Sequence, residues 1–337
     1  MIPGLRIIYG CPPDNKPAGG VKVIHRQCEA LRAMGIESYL WHPGQPDFKS
    51  TWFDHQAPSL PVEALNPGTD LVVLPEIWAG TPIYRMLRDA GFKLALYVQN
   101  AYMTHANLDA EEPDALRRNF AHASLVLSIS SDTARYLTEV LRVEATRVVP
   151  QRYSIDFSRF APAEKLKLIT YMPRKMATHA FRVVSALTPL LPADWRIMPI
   201  DGVPEAEVAR TLARSAIFMS FSDFEGLPVP PVEAAVCGNY VIGYHGEGGQ
   251  EYWHEPNFEF VRSGDITSFV KRVRQVAEEL DSGQRGIQEL SEGIEHLKLS
   301  FGSTQELAKL QEFVLRAAEV MVQAATNQLP VAGRLQL

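Results

Sequence analysis

Cysteine is scarce: three residues in 337, Cys11, Cys28 and Cys237, at irregular spacing. An odd, scattered set builds neither a disulfide framework nor a cysteine zinc site, and it suits a reducing cytosol. No run of about 18 apolar residues occurs, so no helix is expected to span a membrane. A basic excess is also missing. The 33 Lys and Arg against 39 Asp and Glu leave a net charge of −6, which argues against a dedicated nucleic-acid binder. The opening MIPGLRIIYG has neither the basic start nor the long apolar stretch of a signal peptide, so a cytoplasmic location is the expectation. What remains is ordinary for a globular protein, 46% hydrophobic and 21% charged. The length suits two domains of about 150 residues each rather than one core.

Apolar segments alternate along the chain in the manner of strands and helices. Leu5 to Tyr9 reads as a strand, followed by the Gly/Pro loop GCPPDNKPAGG. Val21, Ile24, Cys28, Leu31 and Met34 then recur at three- and four-residue steps, an amphipathic helix stopped by Gly35. Ile36 to Trp41 returns as a strand. This βαβ opening lacks the G-x-G-x-x-G dinucleotide fingerprint. Further strands are expected at Asp70 to Leu74, Leu94 to Val98, Ser124 to Ile129 and Arg147 to Val149. Helices are expected at Thr81 to Ala90, Pro113 to Ala123, and Ser131 to Leu141 with Ser131 and Asp132 capping. Such alternation implies a Rossmann-like parallel sheet covered on both faces. Ligands of these sheets bind at the carboxyl ends of strands, which nominates Glu76, Trp78, Gln99, Asn100, Tyr102 and His105. His105, five residues beyond its strand, reads more readily as a plain surface-loop histidine than as a sugar contact.

A second alternating region opens with a strand at Leu166 to Met172 and a turn carrying Arg174 and Lys175. Two cations at a strand's carboxyl end could clamp a pyrophosphate, Arg by bidentate geometry and Lys as a point charge. A helix at Ala177 to Leu191, a strand at Trp195 to Ile200 and a helix at Glu205 to Ser215 follow. Ala216 to Phe221 is then expected as a buried strand breaking into a polar loop that contains Glu225. Pro230 and Pro231 suit a helix's first turn, Gly238 its stop, and Tyr240 to Tyr244 the next strand. Glu233 falls in the first helical turn, where a carboxylate caps or complements the dipole. Gly226 lets a ligand approach the backbone, and free N–H groups at the helix start would suit a phosphate. GEGGQEYW is a further glycine-rich candidate for the pocket. Three helices close the chain, at Thr267 to Leu280, Gly286 to Leu299 and Thr304 to Thr326.

Glu225-GLPVPPV-Glu233, followed by Ala-Ala, a glycine and a Val-Ile strand, resembles the E-x7-E signature of retaining, family 4-type glycosyltransferases. The Pro-Pro form is similar to a bacterial cell-surface polysaccharide subgroup that includes rhamnosyltransferases, as is YVQNAY. The resemblance implies a GT-B fold: two Rossmann-like, doubly wound parallel-sheet domains facing a central cleft. It places an acceptor-side domain at 1–153, a donor domain at 154–303, and a final helix at 304–337 crossing back to the first. It implies that Glu225 faces the donor sugar, that Glu233 bonds the nucleotide ribose, and that Gly226, Leu227 and Val229 line the donor. Gly19 and Gly20 correspond to the N-terminal loop facing the cleft. The chain departs from the pattern at Pro228, where the family often has a glycine whose N–H helps hold the donor. It departs again at Lys175, which directly follows Arg174 instead of lying several residues on.

The expected activity is retaining transfer from a nucleoside-diphosphate sugar to a glycan, lipid-linked or other hydroxyl acceptor. Catalysis then consists of stabilising charge on the leaving pyrophosphate, assigned to Arg174, Lys175 and the helix start at Pro231. No Asp-x-Asp pair offers a magnesium site, so no metal and no cofactor are expected. Nucleic acid is not an expected partner. Peripheral contact with the inner face of a membrane is compatible with such an acceptor. A nucleotide-sugar epimerase and a catalytically silent binding module are the competing readings.

Overall fold

A computed structural model describes residues 4–107 and 114–328. The expected helix start at Pro113, the first three residues and the tail from 329 lie outside the described residues. Six strands form one sheet: β1 (Arg6–Gly10), β2 (Glu37–Trp41), β3 (Asp70–Pro75), β4 (Lys93–Val98), β5 (Leu125–Ser128) and β6 (Val148–Pro150). Their order is β2-β1-β3-β4-β5-β6, and every pair is parallel. The central strands are apolar without alternation, and all six residues of β3 are buried. Burial on both faces requires this, because helices cover each side of a parallel sheet.

Those helices are α1 (Gly19–Ala33), α2 (Pro82–Asp89), α3 (Ala115–His122) and α4 (Ser131–Glu139). The predicted stripe of α1 is buried at Val21, Ile24, Cys28 and Leu31. Gly35 (φ +79°) ends this helix, with its N–H on the Arg32 carbonyl and the Ile36 N–H on that of Leu31. That pattern closes the orphan carbonyls of a helix end and favours glycine.

The second sheet holds β7 (Leu168–Tyr171), β8 (Arg196–Pro199), β9 (Ile217–Glu225), β10 (Tyr240–Glu247) and β11 (Phe258–Phe260). It is again parallel, in the order β11-β10-β9-β7-β8. With it go α5 (Ala177–Leu187), α6 (Glu205–Arg214), α7 (Pro230–Val236), α8 (Ile266–Asp281) and α9 (Ser291–Ser300), and α10 (Ser303–Gln328) follows them in the chain. Two expectations are corrected, and one strand was unforeseen. The strand at 216–221 continues to Glu225, because backbone pairing with β10 carries Ser222 and, past an irregularity at Asp223 and Phe224, Glu225 without needing apolar side chains. β11 was not legible, being three residues long. The expected single helix at 286–299 is a 3₁₀ turn at Ile287–Leu290 followed by α9.

The chain divides into two compact units. One comprises the chain to Ile129, Thr133–Gln151 and the chain from Leu307; the other comprises Ser130–Asp132 and Arg152–Glu306. Within the first unit Arg316 of α10 donates to the Thr146 carbonyl (2.6 Å).

In the second unit a half-buried lysine holds two helix ends together. The Lys165 ammonium donates to the Leu212, Ala213 and Cys237 carbonyls at the ends of α6 and α7. A cation there meets the negative dipole ends of both helices. Lys165→Met keeps the stem and removes the donors, and should lower unfolding free energy by about 1–3 kcal/mol. A urea-melt difference below about 0.5 kcal/mol would show that water replaces the ammonium at no cost.

Candidate active site

Both sheets reverse their winding direction once, between β1 and β3 in the first unit and between β7 and β9 in the second. At such a point the loops leave in opposite directions and open a crevice at the carboxyl ends of the strands. In the second unit the turn after β7 carries Arg174 and Lys175, and the neighbouring strand β9 ends on Glu225. The Lys175 ammonium forms an ion pair with the Glu225 carboxylate across this point. Glu225 is largely enclosed, its side chain 14% exposed, whereas that of Lys175 is 49% exposed. Desolvation, and then the adjacent Arg174 guanidinium, draw the lysine down to about 8, against the pull of the carboxylate it faces. Arg174 is exposed and has no hydrogen-bond or ion-pair partner among the described residues.

This arrangement corrects the local reading of Glu225. It is a strand terminus, not a free loop residue, and its partner is the lysine grouped with Arg174 on sequence grounds. The backbone around it is strained. Phe224 (φ +49°) precedes it, and Glu247 (φ +64°) lies opposite on β10. Left-handed backbone at non-glycine residues persists where surrounding packing over-determines it, often at functional sites.

The loop after Glu225 is held from several sides. The Tyr153 hydroxyl donates to the Leu227 carbonyl (2.6 Å) and the Tyr252 hydroxyl to that of Pro228 (2.7 Å). Gly226, Leu227 and Pro228 are buried, and Val229 is half-buried. Gly248 packs so closely that a Cβ there would lie 1.8 Å from the Gly226 carbonyl oxygen. Of these supports only the Gly248 region carries a sequence signal, its clustered glycines. Nothing local marks Tyr153, while Tyr252 falls at the end of that glycine-rich stretch.

The helix start is a second correction. Pro230 and Pro231 have no N–H, and the Val232 and Glu233 N–H groups both bond the Val229 carbonyl (3.0 and 3.1 Å). The first turn of α7 therefore presents no free N–H of its own to a phosphate, and the N-cap Val229 N–H is the backbone donor left at the helix start. Glu233 lies in this turn, half-buried.

In the first unit Gly19 and Gly20 open α1. The Gln99 amide donates to the Gly20 carbonyl (3.1 Å), while a Cβ on Gly19 would meet nothing within 4 Å. Glu76 is enclosed rather than facing a ligand: its carboxylate accepts the Asn100 N–H (3.0 Å), and burial pushes its pKa up to about 7. Trp78 belongs to the hydrophobic core, packed on Trp41 and over Gly10. Its expected place at an open site does not match this burial, which follows from the missing side chain at Gly10. Asn100 turns its side chain onto the Tyr102 N–H (3.0 Å). Tyr102 packs near Tyr136, whose hydroxyl lies 3.0 Å from Nε2 of the exposed His105. Among the described residues no cluster of His, Cys, Asp or Glu is arranged to hold a metal ion, and no helix is long and apolar enough to cross a membrane.

No family model matches the chain. It is 23% identical over 299 residues to an alpha-1,6-glucosyltransferase of Actinobacillus pleuropneumoniae, covering 82% of this chain and 85% of that protein. Its structure is similar to sucrose-phosphate synthase from Thermosynechococcus elongatus, with a TM-score of 0.72, 12% identity and coverage of 94% and 100% of the two chains. It is also similar to Anabaena HepE in complex with UDP, with a TM-score of 0.69, 11% identity and coverage of 94% and 100%. Two parallel Rossmann-like sheets and these neighbours establish the GT-B glycosyltransferase fold for this chain, which is related in sequence to a glucosyltransferase.

Proposed function

We propose that the protein is a retaining glycosyltransferase of the family 4 type, moving a sugar from a nucleoside-diphosphate sugar to a hydroxyl of a glycan or lipid-linked acceptor in bacterial cell-surface polysaccharide synthesis. The observation that carries this reading is the Lys175–Glu225 pair beside Arg174, at the winding reversal of the second sheet. The three groups match the parts of a donor: cations for the pyrophosphate, a carboxylate for the sugar hydroxyls. The E-x7-E spacing and the UDP complex of one structural relative agree with it.

In this reading the donor phosphate competes for Lys175 while the sugar hydroxyls take over Glu225. The anomeric C–O bond to the pyrophosphate breaks, the acceptor oxygen attacks from the same face, and the acceptor proton passes to the leaving phosphate oxygen. Arg174 and Lys175 stabilise the charge that develops there, and no metal is assigned a part. Glu233 would bond the nucleotide ribose. The test is an assay in EDTA with UDP-, GDP- and dTDP-sugars, with and without glycan acceptors, reading product anomeric configuration by NMR. Inverted product, a strict divalent-metal requirement, a free sugar epimer formed without acceptor, or nucleotide binding without turnover would each overturn it.

Arg174 supplies a separate prediction. If its guanidinium meets the leaving pyrophosphate, its contribution grows as charge develops, so its loss lowers kcat more than donor binding. Arg174→Ala should cost on the order of 10²-fold in kcat, and Arg174→Lys should recover only part, lacking bidentate geometry. A kcat within about threefold of wild type, less than about 1 kcal/mol of barrier, would make Arg174 a surface cation.

A further inference from the structure

In the first unit one buried carboxylate ties together the carboxyl ends of β3 and β4. Glu76 follows β3, is 6% exposed, and accepts the Asn100 N–H beyond the end of β4 (3.0 Å). The residue before Asn100 is Gln99. Its amide nitrogen donates to the Gly20 carbonyl (3.1 Å) at the start of α1, which follows β1 on the other side of the winding reversal. A Cβ on Gly20 would lie 3.3 Å from that nitrogen, so the glycine lets the amide rest against the helix start. Gln99 is half-buried, and its side-chain carbonyl oxygen has no partner among the described residues. An open amide oxygen at the strand ends suits a ligand hydroxyl.

Keeping Glu76 ionised is costly. Burial disfavours the charge, the N–H groups of Glu76, Gln99 and Asn100 favour it, and the balance pushes the pKa up to about 7. β4, α2 and the turn at Ala101–Met103 pack about Glu76. They carry Lys93 and Tyr97, then Tyr84, Arg85, Arg88 and Asp89, then Tyr102. Among the described residues none of these side chains brings its charge to bear on the carboxylate. A protonated carboxyl keeps one accepting oxygen and makes the other a donor, which cannot bond the N–H groups it faces. Backbone donors left unpaired in a buried site are expensive, so the segment after β4 would have to move.

The same group weakens the fold. It holds its proton more tightly folded than unfolded, so stability is lost as pH rises from the ordinary value of 4.5 to about 7. A charge kept at a cost to stability fits a positioning role better than a structural one. We propose that Glu76 is a positioning residue for a hydroxyl-bearing ligand of the first unit: ionised, it holds the backbone after β4 so that Gln99 stays clasped to Gly20 with its carbonyl oxygen presented, and protonated, it releases that clasp. That the ligand is a sugar acceptor rests on the glycosyltransferase reading, whereas the clasp does not.

The test follows the full-length protein by amide-resolved NMR from mildly acidic to mildly alkaline pH. The Asn100 N–H and the Gln99 side-chain amide should move together, with one midpoint near 7. Glu76→Gln should abolish both movements and leave the Gln99 signal at its acid position throughout. Glu76→Asp, a shorter carboxylate, should restore the titration. The thermal midpoint of the wild type should fall relative to that of Glu76→Gln as pH rises through the same window. The proposal is overturned if the Gln99 amide does not titrate with Asn100, or if both titrations survive in Glu76→Gln. The wild-type spectra decide the first of these whether or not the variants fold. Absence of transfer from UDP-, GDP- and dTDP-glucose by the wild type would count against the glycosyltransferase reading, with the clasp still decided by the spectra.

Discussion

Glu225→Gln should lower kcat for sugar transfer by on the order of 10²–10³-fold while leaving nucleoside-diphosphate affinity equal to or slightly above wild type. The substitution preserves shape and removes charge at the end of β9, so the sugar loses a charge-assisted acceptor. Lys175 simultaneously loses the carboxylate it pairs with, which frees its ammonium for phosphate. The direction of the nucleotide effect therefore separates this residue from Glu233, whose truncation to alanine should weaken nucleotide binding by about 1–3 kcal/mol through a lost hydrogen bond. Calorimetric titration of both variants with the nucleotide, alongside single-turnover transfer, reads the two effects apart. A Glu225→Gln enzyme whose nucleotide affinity falls as far as that of Glu233→Ala would sink the division of roles.

Gly248→Ala should be nearly as damaging by a different route. The added Cβ would lie 1.8 Å from the Gly226 carbonyl oxygen and 2.8 Å from that of Glu225. Both are backbone atoms, so no rotamer change relieves the contact. The loop from Gly226 to Pro228 cannot simply retreat, because the Tyr153 and Tyr252 hydroxyls hold its Leu227 and Pro228 carbonyls. The strain should appear as a loss of stability of about 1–3 kcal/mol, the usual scale of overpacking, and as donor affinity weakened on the order of 10²-fold. Thermal denaturation and nucleotide titration of the one variant measure both. Retention of wild-type values in each would mean that Gly248 and Gly226 are not packed backbone to backbone.

The Tyr153→Phe and Tyr252→Phe pair offers a route to the same loop without a clash, since each removes one hydroxyl from a buried carbonyl. These two positions show where sequence reading stops. Tyr153 lies 74 residues before the carbonyl it holds, and no periodicity or spacing marks such a partnership.

The sequence by itself determined the alternation of strands and helices, because strands buried on both faces must be apolar throughout and helices covering them must carry a stripe. It determined the helix stops at Gly35 and Gly238, whose φ of +79° in each case suits glycine, and the local spacing of Glu225 and Glu233. Tertiary structure alone decided which charge meets which. Lys175 faces Glu225 because β7 and β9 are neighbours at the winding reversal. Trp78 enters the core because Gly10 of the adjacent strand leaves room for its ring. Val232 and Glu233 offer no free donor in the first turn of α7 because Val229 supplies the carbonyl for both N–H groups. Local pattern reports how deeply a residue is buried and which way it faces along its own element. The identity of its partner depends on strand order, and strand order is set by packing between segments far apart in the chain.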